Sequence, residues 1–300
     1  MADEPPASPA ASDTTHPDIL LRFRDLAHRY EGILCDIWGV VHNGVRSWPD
    51  ACEALCSFRK EGGRVVLITN APRPASPVRD MLDRLEVPRD AYDAIVTSGD
   101  LTRSMLEQRP GRKVFQLGPD RDQGVLDGLV MPVVRAAEAE LVVNTGLIDD
   151  TTETPDDYAG MLSDFRAREI EMICANPDLV VERGDKLIYC AGALADAYEQ
   201  LGGTVLWAGK PHPPIYDLAM EKLAVAAGKP VDRSRVIAIG DSLRTDLAGA
   251  KRAGVDAVFV ASGIHGNELI REDVLDLPEL EQSFRQAGVW PRAVMARLVW

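Results

Sequence analysis

Six short apolar runs, each giving way to small or polar residues, constrain the fold more than any other feature of the chain. They are Gly32–Cys35 before Asp36, Val65–Ile68 before Thr69, Ala94–Val96 before Thr97, Val205–Trp207 before Gly209, Val236–Ile239 before Gly240, and Ala257–Val260 before Ser262. Uninterrupted apolar runs of this length read as strands covered on both faces, as in a parallel sheet. Helical patterns fall between several of them, at Asp50–Lys60, Pro77–Leu85, Ile215–Ala227 and Thr245–Ala253. The alternation predicts an open α/β sheet, with functional groups gathered at the carboxyl ends of its strands.

The middle of the chain follows a separate rhythm. Between Arg109 and Gly203 lie further strand-like runs, Lys113–Leu117, Leu141–Asn144 and Ile170–Cys174. Two helical stretches accompany them, Pro155–Ala167 and Ala191–Leu201, the second ending at a Gly202-Gly203 stop signal. This segment is large enough to form a second α/β unit inserted into the first. The expected division is a disordered tail over residues 1–16, a core built from 17–109 and 205–300, and an insert over 110–204. The tail is rich in Ala, Pro, Ser, Asp and Thr, with neither a basic start nor an apolar stretch, so no signal peptide is expected.

Charge narrows the partners. A formal net charge of −14 argues against nucleic acid, which needs clustered Lys and Arg, and against an anionic membrane surface. No apolar run is long enough to suggest a membrane span. A small phosphorylated substrate stays open, because a metal and a few local cations can overrule the global sign. The five cysteines, Cys35, Cys52, Cys56, Cys174 and Cys190, fit neither a zinc site nor a disulfide framework. Buried thiols in a reducing cytoplasm are expected. A homodimer is an allowed assembly.

Four of the strand ends carry chemistry. Asp36, two residues before Trp38 and three before Gly39, can attack phosphorus and ligate Mg²⁺. Thr69 and Asn70 offer a hydroxyl and an amide that suit a phosphate oxyanion. Lys210, between Gly209 and Pro211, is a lone cation able to balance charge on a transferring phosphoryl group. Gly240-Asp241-Ser242 through Asp246 places two carboxylates around a turn entering a helix, and Mg²⁺ prefers oxygen ligands. Singly, each has a bland reading as a cap or a turn. Their order, each after its own apolar run, is what independent caps do not predict.

Together the four resemble the motifs of the haloacid dehalogenase (HAD) superfamily, and more narrowly its type IIA branch of nucleotide, pyridoxal-phosphate and 4-nitrophenyl phosphatases. In that branch a cap is inserted between the Thr motif and the Lys motif. The resemblance covers nearly the whole chain after about residue 30, with supporting matches at Thr97-Ser98-Gly99-Asp100, Asn176-Pro177-Asp178, Gly192-Ala193-Leu194 and Asp246-Leu247-Ala248-Gly249-Ala250. It implies a Rossmann-like parallel-sheet core with an inserted α/β cap, and a Mg²⁺-dependent hydrolase of phosphate monoesters working through an aspartyl-phosphate. It further implies Asp36 as nucleophile and metal ligand, the Trp38 carbonyl and Asp241 as the other metal ligands, Thr69 and Asn70 on the phosphoryl oxygens, Lys210 as charge balance, and Asp246 orienting Lys210 or the metal's waters.

One position departs from the family. Its motif is Asp-x-Asp-Gly, where the second Asp protonates the leaving oxygen and then activates water; here the chain reads Asp36-Ile37-Trp38-Gly39. An indole N–H neither gives nor accepts a proton in this range, and general acid–base help is worth about 10²–10⁴-fold. Three readings follow. The enzyme acts on good leaving groups; or His42 or His212 substitutes; or the protein binds a phosphorylated ligand without turning it over, with Trp38 stacking on it. An enzyme that cleaves another bond on the same scaffold is a further alternative. For Trp38 a core residue anchoring the turn, and for the two histidines a packing or surface role, are the bland readings.

Around these, Asn176, Pro177, Asp178, Arg183 and Asp185 form a polar stretch that reads either as a specificity loop over the site or as a solvated surface loop. Arg73 is a candidate second cation near the phosphate, His265 a rim residue facing the cap, and Cys35 a core residue alternating away from Asp36.

Overall fold

The computed structural model describes residues 16–183, 186–264, 266–271 and 274–300, excluding the side chains of Glu182, Arg183, Lys186 and Asn267. The expected tail therefore lies outside the described residues, apart from His16, which meets Glu281 at 3.0 Å. Among the described residues seven strands form one parallel sheet. Their order is β1 (Asp18–Ile19), β15 (Ala293–Met295), β12 (Asp256–Val260), β11 (Val236–Gly240), β2 (Gly32–Asp36), β3 (Arg64–Thr69) and β4 (Ala94–Thr97). Alternating residues feed the two faces. Leu34, Val66, Ile68 and Val96 pack on one side; Ile33, Cys35, Val65, Leu67 and Ile95 pack on the other. Burial on both faces is why the strands read as unbroken apolar runs.

A second parallel sheet runs in the order β10 (Val205–Trp207), β7 (Glu171–Cys174), β6 (Leu141–Asn144), β5 (Val114–Leu117). This corrects the expectation that Val205–Trp207 belongs to the core. The helix Ala191–Gln200 ends at the Gly202-Gly203 turn, and the chain returns beside β7 with Val205 opposite Met172 and Trp207 opposite Cys174. The strand is half-buried because it lies at this sheet's edge. The inserted sheet thus extends to Trp207, past residue 204, and Lys210 sits on the segment leading back to the core.

The insert is packed against the core. Val114, Leu141, Val143 and Ile173 share a cluster with Leu34 and Val66. Each such burial contributes about 1.5–3 kcal/mol, so the insert rests on a packed contact and not on a tether alone. Its other face is covered by Leu162, Phe165, Leu194 and Tyr198.

Two hairpins complete the strands: β8 (Val180–Arg183) with β9 (Lys186–Tyr189), and β13 (Ile270–Arg271) with β14 (Val274–Leu275). The helix expected over Thr245–Ala253 is present, opening as a wide π-helical turn over Leu243–Leu247 and continuing as an α-helix over Ala248–Ala253. The short strands β1, at the sheet's edge, and β15, between β1 and β12, were not anticipated; two or three residues carry too little periodicity to read. Cys35, Cys52, Cys174 and Cys190 are buried free thiols, and Cys56 is half-buried. Among the described residues no helix is long and apolar enough to cross a membrane.

Candidate active site

The carboxyl ends of β2, β3 and β11 open into one cavity of about 490 Å³. Asp36 ends β2 and is 7% exposed. Lys210 is 2% exposed, and its Nζ donates to Asp36 Oδ1 at 2.7 Å and to Asp246 Oδ1 at 2.6 Å. Burial opposes charge on Lys210, but Asp246 and then Asp36 outweigh it and hold the ammonium well above its ordinary range. Burial likewise pushes the Asp36 carboxyl well up; Lys210 opposes this, while Asp246 and Asp241 add to it.

Asp241 follows β11, and its Oδ2 accepts the Ile264 N–H at 2.7 Å. Burial, then Asp246, pushes its carboxyl up to about 7. Two glycines make room for it. A Cβ on Gly39, where φ is +84°, would fall 2.0 Å from Asp241 Oδ2, and one on Gly263 would fall 1.9 Å from the same atom. Gly263 sits on the loop after β12, which the sequence marked only as a rim. Asp246 is turned back by the wide π-turn, its Oδ2 accepting the Ser242 N–H at 3.1 Å.

Asp36, Asp241 and Asp246 each present an oxygen within 4.8 Å of the other two. Three carboxylates against one ammonium leave surplus negative charge in a buried, all-oxygen site, which fits a hard divalent cation. Because Asp246 already accepts from Lys210 and Ser242, Asp36 and Asp241 are the freer donors.

Thr69 ends β3, and its Oγ1 accepts the Ala71 N–H at 3.2 Å. The Asn70 amide is a clasp. Its Oδ1 accepts the Lys210 N–H at 2.7 Å and the Ser98 hydroxyl at 3.3 Å. Its Nδ2 donates to Lys210 O at 3.1 Å and to Asp178 Oδ1 at 2.9 Å. One side chain thereby ties β3 to the returning segment and to the insert.

Trp38 lines the cavity and is 38% exposed, so it is not a core anchor. One side of the indole is packed: the His42 ring meets it edge-on at 5.2 Å, and a Cβ on Gly44 would fall 2.4 Å from its Cη2. The rest faces the cavity.

Neither histidine takes the place of the absent carboxylate. His42 is fully buried, its Nδ1 accepts the Gly44 N–H at 2.9 Å, and burial lowers it to about 4. His212 stacks on Trp207 at 5.3 Å and is lowered to about 4, mainly by burial. Neither lines the cavity. Arg73 is also turned away, its Nε 2.6 Å from the buried Asp122 of the insert. Of the expected specificity stretch, Asp178 through Val181 does line the cavity, while Asn176 shapes the turn by accepting the Asp178 N–H. The Arg183 side chain, Asp185 and His265 lie outside the described residues. Arg244, Trp48 and Asn43 line the cavity and were not singled out from sequence. Arg244 lies within the Asp241–Asp246 turn, which was read for its carboxylates alone.

The sequence profile of the haloacid dehalogenase-like hydrolases matches residues 33–129, and an HAD-hydrolase-like profile matches residues 207–281. A haloacid dehalogenase-like hydrolase from Brucella suis 1330 is 43% identical, with 94% of this chain and 100% of that chain covered and a TM-score of 0.82. The chain belongs to the haloacid dehalogenase-like hydrolase family. Within it, its relatives are of type IIA. The ribonucleotide monophosphatase NagD of Escherichia coli (strain K12) is 25% identical over 266 residues, 87% of this chain and 96% of that protein. A glycerol phosphate phosphatase from Mycobacterium tuberculosis, solved in complex with calcium, is 25% identical with a TM-score of 0.61, covering 80% of this chain and 68% of that one.

Proposed function

We propose that this protein is a magnesium-dependent phosphatase of the cytoplasm, hydrolysing small phosphate monoesters through a phosphoryl group carried on Asp36. The observation that carries the reading is the buried Lys210 ammonium held between Asp36 Oδ1 and Asp246 Oδ1. Displacing a halide from a haloacid calls for no metal, so it gives no use to the surplus of three clustered carboxylates over that one cation. A transferring phosphoryl group does, because its equatorial oxygens gather charge. The names of the relatives, a monophosphatase and a glycerol phosphate phosphatase, support the same class.

In this reading an Asp36 oxygen bonds to phosphorus while the ester P–O bond breaks. Water then attacks the phosphorus of the aspartyl-phosphate and frees Asp36 and inorganic phosphate. Lys210 balances charge through both halves, oriented by Asp246. The Thr69 hydroxyl and the Asn70 backbone N–H hold the phosphoryl oxygens. Asp36, Asp241 and the Trp38 carbonyl would hold Mg²⁺, which supplies charge neutralisation on the phosphate when bound. Trp38 brings no proton, so esters with good leaving groups, such as aryl and acyl phosphates, are turned over best.

The test is Mg²⁺-dependent phosphate release from 4-nitrophenyl phosphate, wild type beside Asp36→Asn. Release should need Mg²⁺ and fall by at least about 10³-fold in the variant, as expected when a nucleophile is removed. Release at the wild-type rate from Asp36→Asn would sink the assignment. One observation, the indole at the acid position, favours a second reading, a protein that binds a phosphorylated ligand without turnover; saturable binding with no phosphate release would select it.

A further inference from the structure

We infer that Asp178, carried in by the insert, gives the leaving oxygen its proton in place of the carboxylate that Trp38 has displaced. The inference rests on the phosphatase reading above. Among the described residues, the titratable side chains that line the cavity are Asp36, Asp178, Lys210, Asp241 and Arg244. Asp36 and Lys210 are committed to each other, Asp241 to the cation site, and a guanidinium does not release its proton. Asp178 is the group that remains.

Its position is fixed on three sides. The Asp178 N–H donates to Asn176 Oδ1 at 3.1 Å, and the Asp178 carbonyl accepts the Gly192 N–H at 3.1 Å. Gly192 permits that approach: a Cβ there would fall 2.4 Å from Asp178 O. The side chain is oriented by Asn70, whose amide cannot flip. The Lys210 N–H only donates, so Asn70 Oδ1 faces it and Nδ2 faces Asp178 Oδ1. That leaves Asp178 Oδ2 without a donor among the described residues, the atom on which a proton can ride. Burial pushes this carboxyl upward, with Asp246 adding and Asn70, Lys210 and Arg244 opposing. In-line attack from Asp36 sends the leaving oxygen to the far side of phosphorus, into the cavity that Asp178–Val181 line.

The proton balance closes over the two halves. As the Asp36–P bond forms and the ester bond breaks, the Asp178 proton passes to the leaving oxygen and yields an alcohol. As water bonds to phosphorus and the Asp36–P bond breaks, Asp178 takes a proton from that water and is restored.

The experiment compares wild type, Asp178→Asn and Asp178→Asn/Trp38→Asp, each with Mg²⁺, in stopped-flow on 4-nitrophenyl phosphate and in quenched flow on glycerol phosphate. Asparagine keeps the acceptor for Asn70 but has no proton to give. Asp178→Asn should keep a burst of 4-nitrophenol, lose the burst of glycerol, and turn over about 10²-fold more slowly in steady state. Adding Trp38→Asp should restore most of that loss, since a core carboxylate then does the same work. Unchanged glycerol phosphate turnover in Asp178→Asn would overturn the inference. So would an equal loss of every phase with no rescue by Trp38→Asp, which is the mark of a structural role. Wild-type protein that releases phosphate from neither ester would overturn the phosphatase reading, and this inference with it.

Discussion

The floor and the mouth of the cavity are built on opposite principles. On the floor, Asp36, Lys210, Asp241 and Asp246 are each at most 7% exposed, and each has a hydrogen-bonded partner within 3.1 Å. At the mouth, Trp38 is 38% exposed, and Leu179, Val180, Val181 and Ile264 offer no ionisable group. The floor over-determines one geometry, as preorganised electrostatics requires. The mouth is apolar where the family places an acid. In the proposed reading, the difference teaches that stabilising a phosphoryl group and delivering a proton are separable tasks, assigned to separate parts of the chain.

Three substitutions break or sharpen that contrast. Lys210→Met strikes the floor. It leaves two buried carboxylates without their cation, so the unfolding free energy in EDTA should drop by about 3–5 kcal/mol, read from urea midpoints, with Mg²⁺ recovering part of the loss. Trp38→Asp strikes the mouth. Introduced into an Asp178→Asn background, it should raise glycerol phosphate turnover by up to about 10²-fold while changing 4-nitrophenyl phosphate turnover much less; a flat result in the folded double variant would show that protonation does not limit the enzyme. His42→Asn tests what supports the mouth. The folded protein holds His42 near 4 by burial, against an ordinary value of 6.5. Between those values the unfolded chain binds a proton that the folded one refuses, so stability is lost as pH falls from about 6.5 to 4. The loss owed to His42 is on the order of 2–3 kcal/mol, and urea midpoints at the two ends of that window should converge in the variant by that amount.

What sequence could and could not reveal follows the same division. Asp36, Thr69 and Asp241 were legible because each ends or follows an unbroken apolar run, and two-sided burial leaves that mark on a strand. Lys210 was placed correctly beside Asp36 but on the wrong support: an apolar run such as Val205–Trp207 does not say which sheet it will join, and only the pairing with β7 decides. Contacts across long separations were out of reach. The bond from Asn70 to Asp178 spans 108 positions, and the Arg73–Asp122 pair that removes Arg73 from the site spans 49. His42 and His212 were candidates because they titrate near neutrality in water; burial removes both from that range. Gly263 was legible only as part of a rim loop, because its role is the room it leaves beside Asp241.

The central claim, that Asp36 carries the phosphoryl group, is tested most directly by trapping it. Protein mixed with Mg²⁺ and acetyl phosphate, quenched in acid within the first turnover and digested, should yield one peptide heavier by a single phosphoryl group, spanning Gly32–Gly39, and Asp36→Asn should yield none. Phosphate released steadily with the label absent from that peptide, or found elsewhere in the chain, would contradict the account.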